Sequence, residues 1–168
     1  MKPNQEIRVL IAEDDVLVAG ITREELESIG LIAVGIAADG KLAVEMTLAL
    51  KPDVVLMDIT MPKMDGIEAA AAIQVTCPTP VVILSAHDEA ELVAKATAAG
   101  VGAFVIKPPQ AQELERAIVI AMARHADLTE LRQANQALQQ ALAEVKTLKG
   151  FHFGEGLLKC LICLAQFR

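Results

Sequence analysis

Four carboxylates, one hydroxyl and one ammonium hold the chemistry available to this chain. Glu13-Asp14-Asp15 follows an apolar run at 7–12, and Asp58 follows Asp53-Val54-Val55-Leu56-Met57. If both runs are buried neighbouring strands, the acids share one carboxyl edge, where open α/β sheets place their ligands. Carboxylates that close repel one another. A divalent cation removes the repulsion. Magnesium suits the site best, as a hard ion that takes oxygen ligands, keeps waters and accepts a phosphate oxygen. A carboxylate beside such an ion can attack phosphorus and become an aspartyl phosphate. Ser85 closes Val81-Val82-Ile83-Leu84, and its hydroxyl can donate to a phosphoryl oxygen. Lys107 closes Val105-Ile106, and its ammonium can neutralise a phosphate. The Lys107–Pro108 bond is a candidate cis peptide. Each residue has an ordinary alternative: a turn lysine, a serine cap, or acids that complement a helix N-terminus. Four strand ends carrying suitable groups in the correct order outweigh those alternatives.

The elements that must position these groups are legible. Strands are expected at 7–12, 32–37, 53–57, 81–84 and 102–106, each short, apolar and followed by a polar or turn-forming residue. Helices are expected at 16–29, 40–50, 66–75, 89–99 and 110–124. Five alternations predict an α/β fold, a doubly wound parallel sheet with right-handed crossovers. Strand order 2-1-3-4-5 puts the site where the order reverses, between strands 1 and 3.

The fifth helix continues, with no Gly or Pro between Ala111 and Lys149. Leu128, Leu131, Asn135, Leu138, Leu142, Val145 and Lys149 follow a heptad, with Leu128, Asn135 and Leu142 at a and Leu131, Leu138 and Val145 at d. Asn at one a position favours a parallel, in-register homodimer through 125–149. The alternative is a solvated helix packing on its own domain. Gly150 is expected to end this helix, leaving 150–168 as an apolar tail too short to span a bilayer. That tail is a buried helix at a dimer interface, the start of an output module, or a segment without a role. Cys160 and Cys163 within it would be half of a zinc site, with His152 nearby, or simply small apolar residues. The domain reading is thus 1–124, 125–149 and 150–168.

Composition limits the function classes. The chain has 168 residues, 54% of them hydrophobic and 22% charged, which supports a packed core. With no Trp, no Tyr and four Phe, that core must be aliphatic. Residues 1–124 hold 10 Lys/Arg against 18 Asp/Glu, and residues 125–168 hold 5 against 4, together the net −7. An acidic body argues against nonspecific nucleic-acid binding. Three cysteines are too few for a disulfide framework. The absence of a signal-like start and of a long apolar run gives the expectation of a cytoplasmic protein without a membrane span.

The strings Ile11-Ala12-Glu13-Asp14-Asp15, Met57-Asp58-Ile59-Thr60-Met61-Pro62-Lys63-Met64-Asp65-Gly66, Ser85-Ala86 and Lys107-Pro108 resemble the receiver domain of two-component response regulators, over about residues 6–124. The resemblance implies a flavodoxin-like (βα)5 fold and phosphorylation of Asp58 by a histidine kinase or phosphotransfer protein, with Mg2+ bound. It implies Glu13, Asp14, Asp58 and the Thr60 main-chain carbonyl as metal ligands, with Asp15 an extra acid. Ser85 and Lys107 fall on the phosphoryl-contacting positions. Phe104 falls on the aromatic switch position, or is an ordinary core residue. Thr60 and His87 fall where family members vary phosphoryl lifetime. A receiver of this kind is a phosphoacceptor rather than an enzyme. Two alternatives stand beside it. One is an RNA-binding antiterminator acting through the C-terminal helices, for which the tail lacks a basic stripe. The other is an aspartate-nucleophile phosphatase, which needs a second Asp where this chain has Thr60.

Overall fold

A computed structural model describes residues 6–86 and 90–165, with side chains described over 6–86 and 94–144. The strands are β1 (Arg8–Ala12), β2 (Ile32–Ala37), β3 (Val54–Asp58), β4 (Val81–Ser85) and β5 (Ala103–Ile106). The helices are α1 (Val16–Ser28), α2 (Gly40–Leu50), α3 (Gly66–Thr76), α4 (Ala90–Ala98) and α5 (Ala111–Ala165). All strand pairs are parallel, in the order β2-β1-β3-β4-β5. The flavodoxin-like doubly wound expectation therefore holds, and β1 and β3 are neighbours.

Burial follows position in the sheet. The central strands β3 and β4 are buried at every residue, so they read as unbroken apolar runs. The edge strands β2 and β5 keep partly exposed positions. Alternation along each strand then separates two cores. Leu10, Val55, Met57, Val81 and Ile83 face Ala43 of α2, Ala69, Ala70 and Ile73 of α3, and Ala96 of α4. Val9, Ile11, Val54, Leu56, Val82 and Leu84 face Ala19 and Leu26 of α1 and Leu114, Ile118 and Ala121 of α5. Among the described residues, no aromatic side chain is fully buried in either layer.

Aspartates start the three helices nearest the strand ends. Asp15 caps α1, Asp39 caps α2 and Asp65 caps α3, each accepting from a backbone N–H of the first turn. The extra acid Asp15 is therefore a helix cap. Gly66 is demanded by space: a Cβ there would overlap the Asp58 carbonyl oxygen.

Cα packing divides the chain into Met1–Ala126 and Asp127–Arg168. One expectation about the second unit fails. Gly150 does not end α5, which continues to Ala165. A helical glycine costs only about 1 kcal/mol relative to alanine and stops a helix only where the chain also turns into a left-handed cap. Leu128, Leu131, Asn135, Leu138 and Leu142 are all exposed in the single chain. The side chains of Val145, Lys149, His152, Cys160 and Cys163 lie outside the described residues, as does His87. Among the described residues no helix is long and apolar enough to cross a membrane.

Two glycines test this packing in opposite directions. Gly66→Ala is expected to lower the unfolding free energy in urea by about 1–3 kcal/mol. Gly20→Ala, in α1 with nothing within 4 Å of the added methyl, is expected to raise it by about 0.5–1 kcal/mol.

Candidate functional site

The carboxyl ends of β1, β3, β4 and β5 deliver Glu13, Asp58, Ser85 and Lys107 to one edge of the sheet. Carboxylate oxygens of Glu13, Asp14 and Asp58 lie within 4.8 Å of one another. Glu13 is 3% exposed and Asp58 8%, while Asp14 is exposed. Two unit charges about 4 Å apart in such surroundings repel by about 4 kcal/mol, so the cluster needs positive charge. Lys107 supplies some: its Nζ is 2.6 Å from Glu13 Oε2 and 3.0 Å from Asp58 Oδ1. The lysine leaves the sheet directly beside Ser85, where its N–H donates to the Ser85 carbonyl at 2.8 Å. The Lys107–Pro108 peptide is cis.

Asp58 is held from a second side. The Ile59 N–H donates to Asp58 Oδ1 at 2.8 Å, so this oxygen takes both the backbone donor and the ammonium. Ser85 is buried beside β3, at 8% exposure. Thr60 is exposed at the start of the β3–α3 loop. Phe104 sits one strand residue before Val105, half-buried and packed against the α2–α3 core layer. It also lines a groove of about 340 Å³ between β5 and α5, with Ile106, Arg116 and Ile120. Both readings of Phe104 made from sequence are compatible with that position.

The donor set fits a hard divalent cation. Three carboxylate oxygens converge, the ligands are oxygen only, and the exposed side at Asp14 leaves room for water. Among the described residues this is the only such group of acids with metal-ligand spacing. What sequence reasoning missed is the internal ion pairing. No local motif says that Lys107 spans 94 residues to bond Glu13.

Burial, the largest influence, raises the Glu13 carboxyl above its ordinary value; the Lys107 hydrogen bond opposes this and the Asp58 charge adds to it. For Lys107, burial works to lower the value, but hydrogen bonds to Glu13 and Asp58 outweigh it, and the net direction is upward. The folded protein thus holds the Glu13 proton more tightly than the unfolded chain does. Stability from this group falls as pH rises from 4.5 through the raised value. The Lys107 contribution is complete below 10.5 and is lost only as pH rises through its own raised value. In EDTA, the unfolding free energy of the wild type relative to Glu13→Gln is therefore expected to decline as pH rises from 4.5 through the raised Glu13 value. A difference that stays flat across that range contradicts the assignment.

The sequence matches the family described as response regulator receiver domain over residues 9–119. It is 39% identical over 152 residues to the transcriptional regulatory protein PdtaR of Mycobacterium tuberculosis, covering 90% of this chain and 73% of that one. The response regulator domain of Thermotoga maritima CheB superposes with a TM-score of 0.66 at 34% identity, covering 71% of this chain and 98% of that one. A solved complex of CheX, CheY, BeF3 and Mg2+ from Borrelia burgdorferi gives a TM-score of 0.62 at 30% identity, covering 67% and 86%. With its sheet order, its strand-end acids and lysine, and these similarities, the chain belongs to the response regulator receiver family of two-component systems.

Proposed function

We propose that Asp58 is the phosphoacceptor of this receiver, served by a histidine kinase or phosphotransfer protein. The observation that carries the reading is the convergence of Glu13, Asp14 and Asp58 with Lys107 bonded to two of them. Asp58 Oδ1 already takes the Ile59 N–H and the ammonium, so we assign attack to Oδ2. Oδ2 forms a bond to phosphorus as the phosphorus–nitrogen bond of a phosphohistidine breaks, and the electron pair leaves on the imidazole. With acetyl phosphate the leaving group is acetate. Glu13, Asp14, Asp58 and the Thr60 carbonyl would hold Mg2+, which when bound offsets charge on the phosphoryl oxygens. Lys107 pairs with the transferred group, and the Ser85 hydroxyl donates to one of its oxygens. Thr60 and His87 set how long the phosphoryl group lasts. The chain accepts one group and does not turn substrate over, and a cytoplasmic location belongs to the same reading. The Borrelia complex, in which CheX and CheY are found with BeF3 and Mg2+, supports this chemistry.

The signal is read as a shift on the face made by α4, β5 and α5, with Phe104 in the β5–α5 groove as the switch residue. A parallel homodimer through 125–149 is the second part of the proposal. Its support is the exposed stripe of Leu128, Leu131, Leu138 and Leu142, with Asn135 at an a position. The domain reading, 1–124 followed by 125–149 and then 150–168, belongs with it. The similarity to the transcriptional regulatory protein PdtaR, spanning 90% of this chain, favours an output in gene expression as a second reading. Strong, salt-dependent RNA binding by the full chain would establish that reading, in its antiterminator form.

Acetyl phosphate with MgCl2 is expected to label the wild type at one site and to leave Asp58→Asn unlabelled; undiminished labelling of the variant refutes the acceptor. Sedimentation equilibrium is expected to give a dimer for the wild type and a monomer for the Leu131→Glu, Leu138→Glu double variant. A wild-type monomer at all accessible concentrations refutes the coiled coil.

A further inference from the structure

The residues joining β3 to α3 must hold the Thr60 carbonyl still if it is to serve a metal, yet Thr60, Pro62 and Lys63 are exposed. The inner side of this loop is fastened in ordinary ways. Met61 is buried in the core, the Gly66 N–H donates to the Ile59 carbonyl at 2.8 Å, and the Met64 N–H donates to the Pro62 carbonyl at 2.8 Å. The outer arc is fastened by one ion pair. Lys63 has a left-handed backbone, φ 66°, and its Nζ lies 2.6 Å from Asp39 Oδ2.

Asp39 is a prepared anchor. It is 6% exposed, and its other oxygen accepts the Leu42 N–H at 2.7 Å as the cap of α2. Next to it, Gly40 approaches Met64 so closely that a Cβ would overlap the Met64 carbonyl oxygen. The start of α2 and the β3–α3 loop thus meet with backbone against backbone, and the Asp39–Lys63 pair closes over that contact. Neither residue reaches the acid cluster. The Lys63 hydrogen bond, and after it the Leu42 N–H, hold the Asp39 carboxyl below its usual range, in keeping with a pair that stays charged.

We propose that Asp39 and Lys63 are positioning residues for the metal shell. Their ion pair fixes the loop's outer arc, so that the Thr60 carbonyl is already placed when magnesium binds. The inference rests on the reading above that the site holds magnesium. An ordered ligand loses less freedom on binding, and groups that orient ligands raise metal affinity without touching the metal.

The test is an amide NMR titration of the full chain with MgCl2, for the wild type, Asp39→Asn, Lys63→Gln and the double variant, together with thermal midpoints in EDTA. Asn at 39 keeps an oxygen for the α2 cap while removing the charge. Each single variant is expected to bind Mg2+ about three- to fivefold more weakly, the range a partly exposed ion pair can supply. The double variant is expected to be no weaker than either single one, because the pair acts as a unit. Midpoints in EDTA are expected to stay close to the wild type, since a purely structural role would move them and leave Mg2+ affinity alone. If the wild type binds Mg2+ and the single variants bind it equally well, the positioning role is overturned while the metal site stands. Losses that simply add in the double variant also overturn it. If the wild type fails to bind Mg2+, both readings fall.

Discussion

Lys107 reaches from the edge strand β5 past β4 to carboxylates at the ends of β3 and β1, and the order of the site depends on that reach. Glu13 and Asp58 are nearly buried, and burial opposes the ionisation of Glu13. One ammonium bonded to both makes the pair tolerable. It leaves the acid cluster short of positive charge, a condition that favours capture of a divalent cation and then a phosphoryl group. If Asp58 accepts a phosphoryl group as proposed, the same lysine would have to change partners. It lies three residues beyond Phe104 and four before the first residue of α5. The amide of that first residue, Ala111, is held in turn by Glu25 of α1, at 2.9 Å. The segment from Lys107 to Ala111 is thus tied at one end to the acids and at the other to α1.

The loops around this edge are fixed by small residues and caps rather than by bulk. Gly66 allows the Asp58 carbonyl close approach, Gly40 allows Met64 close approach, and Asp15, Asp39 and Asp65 start three helices. The three caps satisfy first-turn N–H groups of α1, α2 and α3. Among the described residues, no buried side-chain polar atom lacks a hydrogen-bond partner. An ordered site of this kind suits the phosphoryl chemistry proposed for it.

The sheet was legible because central parallel strands must be apolar on both faces, and β3 and β4 read as unbroken runs for that reason. The acid cluster was legible because Asp58 ends one apolar run and Glu13-Asp14 follows another. The pairing of Lys107 with Glu13, or Lys63 with Asp39, was not legible: each depends on distance in space between residues far apart in the chain. Gly150 misled because glycine's helix-stopping tendency is a local preference of about 1 kcal/mol, and the helix continues through it to Ala165. Asp15 looked like a spare acid for the site; its Oδ1 accepts the Leu17 N–H at 2.8 Å and serves α1.

The central claim is that one phosphoryl group sits on Asp58, between the metal-binding acids on one side and Ser85 and Lys107 on the other. A crystal structure of the full chain with MgCl2 and beryllofluoride tests it most directly. The account predicts beryllium bonded to Asp58 Oδ2, magnesium touching Glu13 or Asp14, Asp58 and the Thr60 carbonyl, and Lys107 turned from Asp58 to a fluorine with the Ser85 hydroxyl on another. Beryllofluoride bound at a different carboxylate, or Asp58 left bonded only to Lys107 with the ions elsewhere, would contradict it.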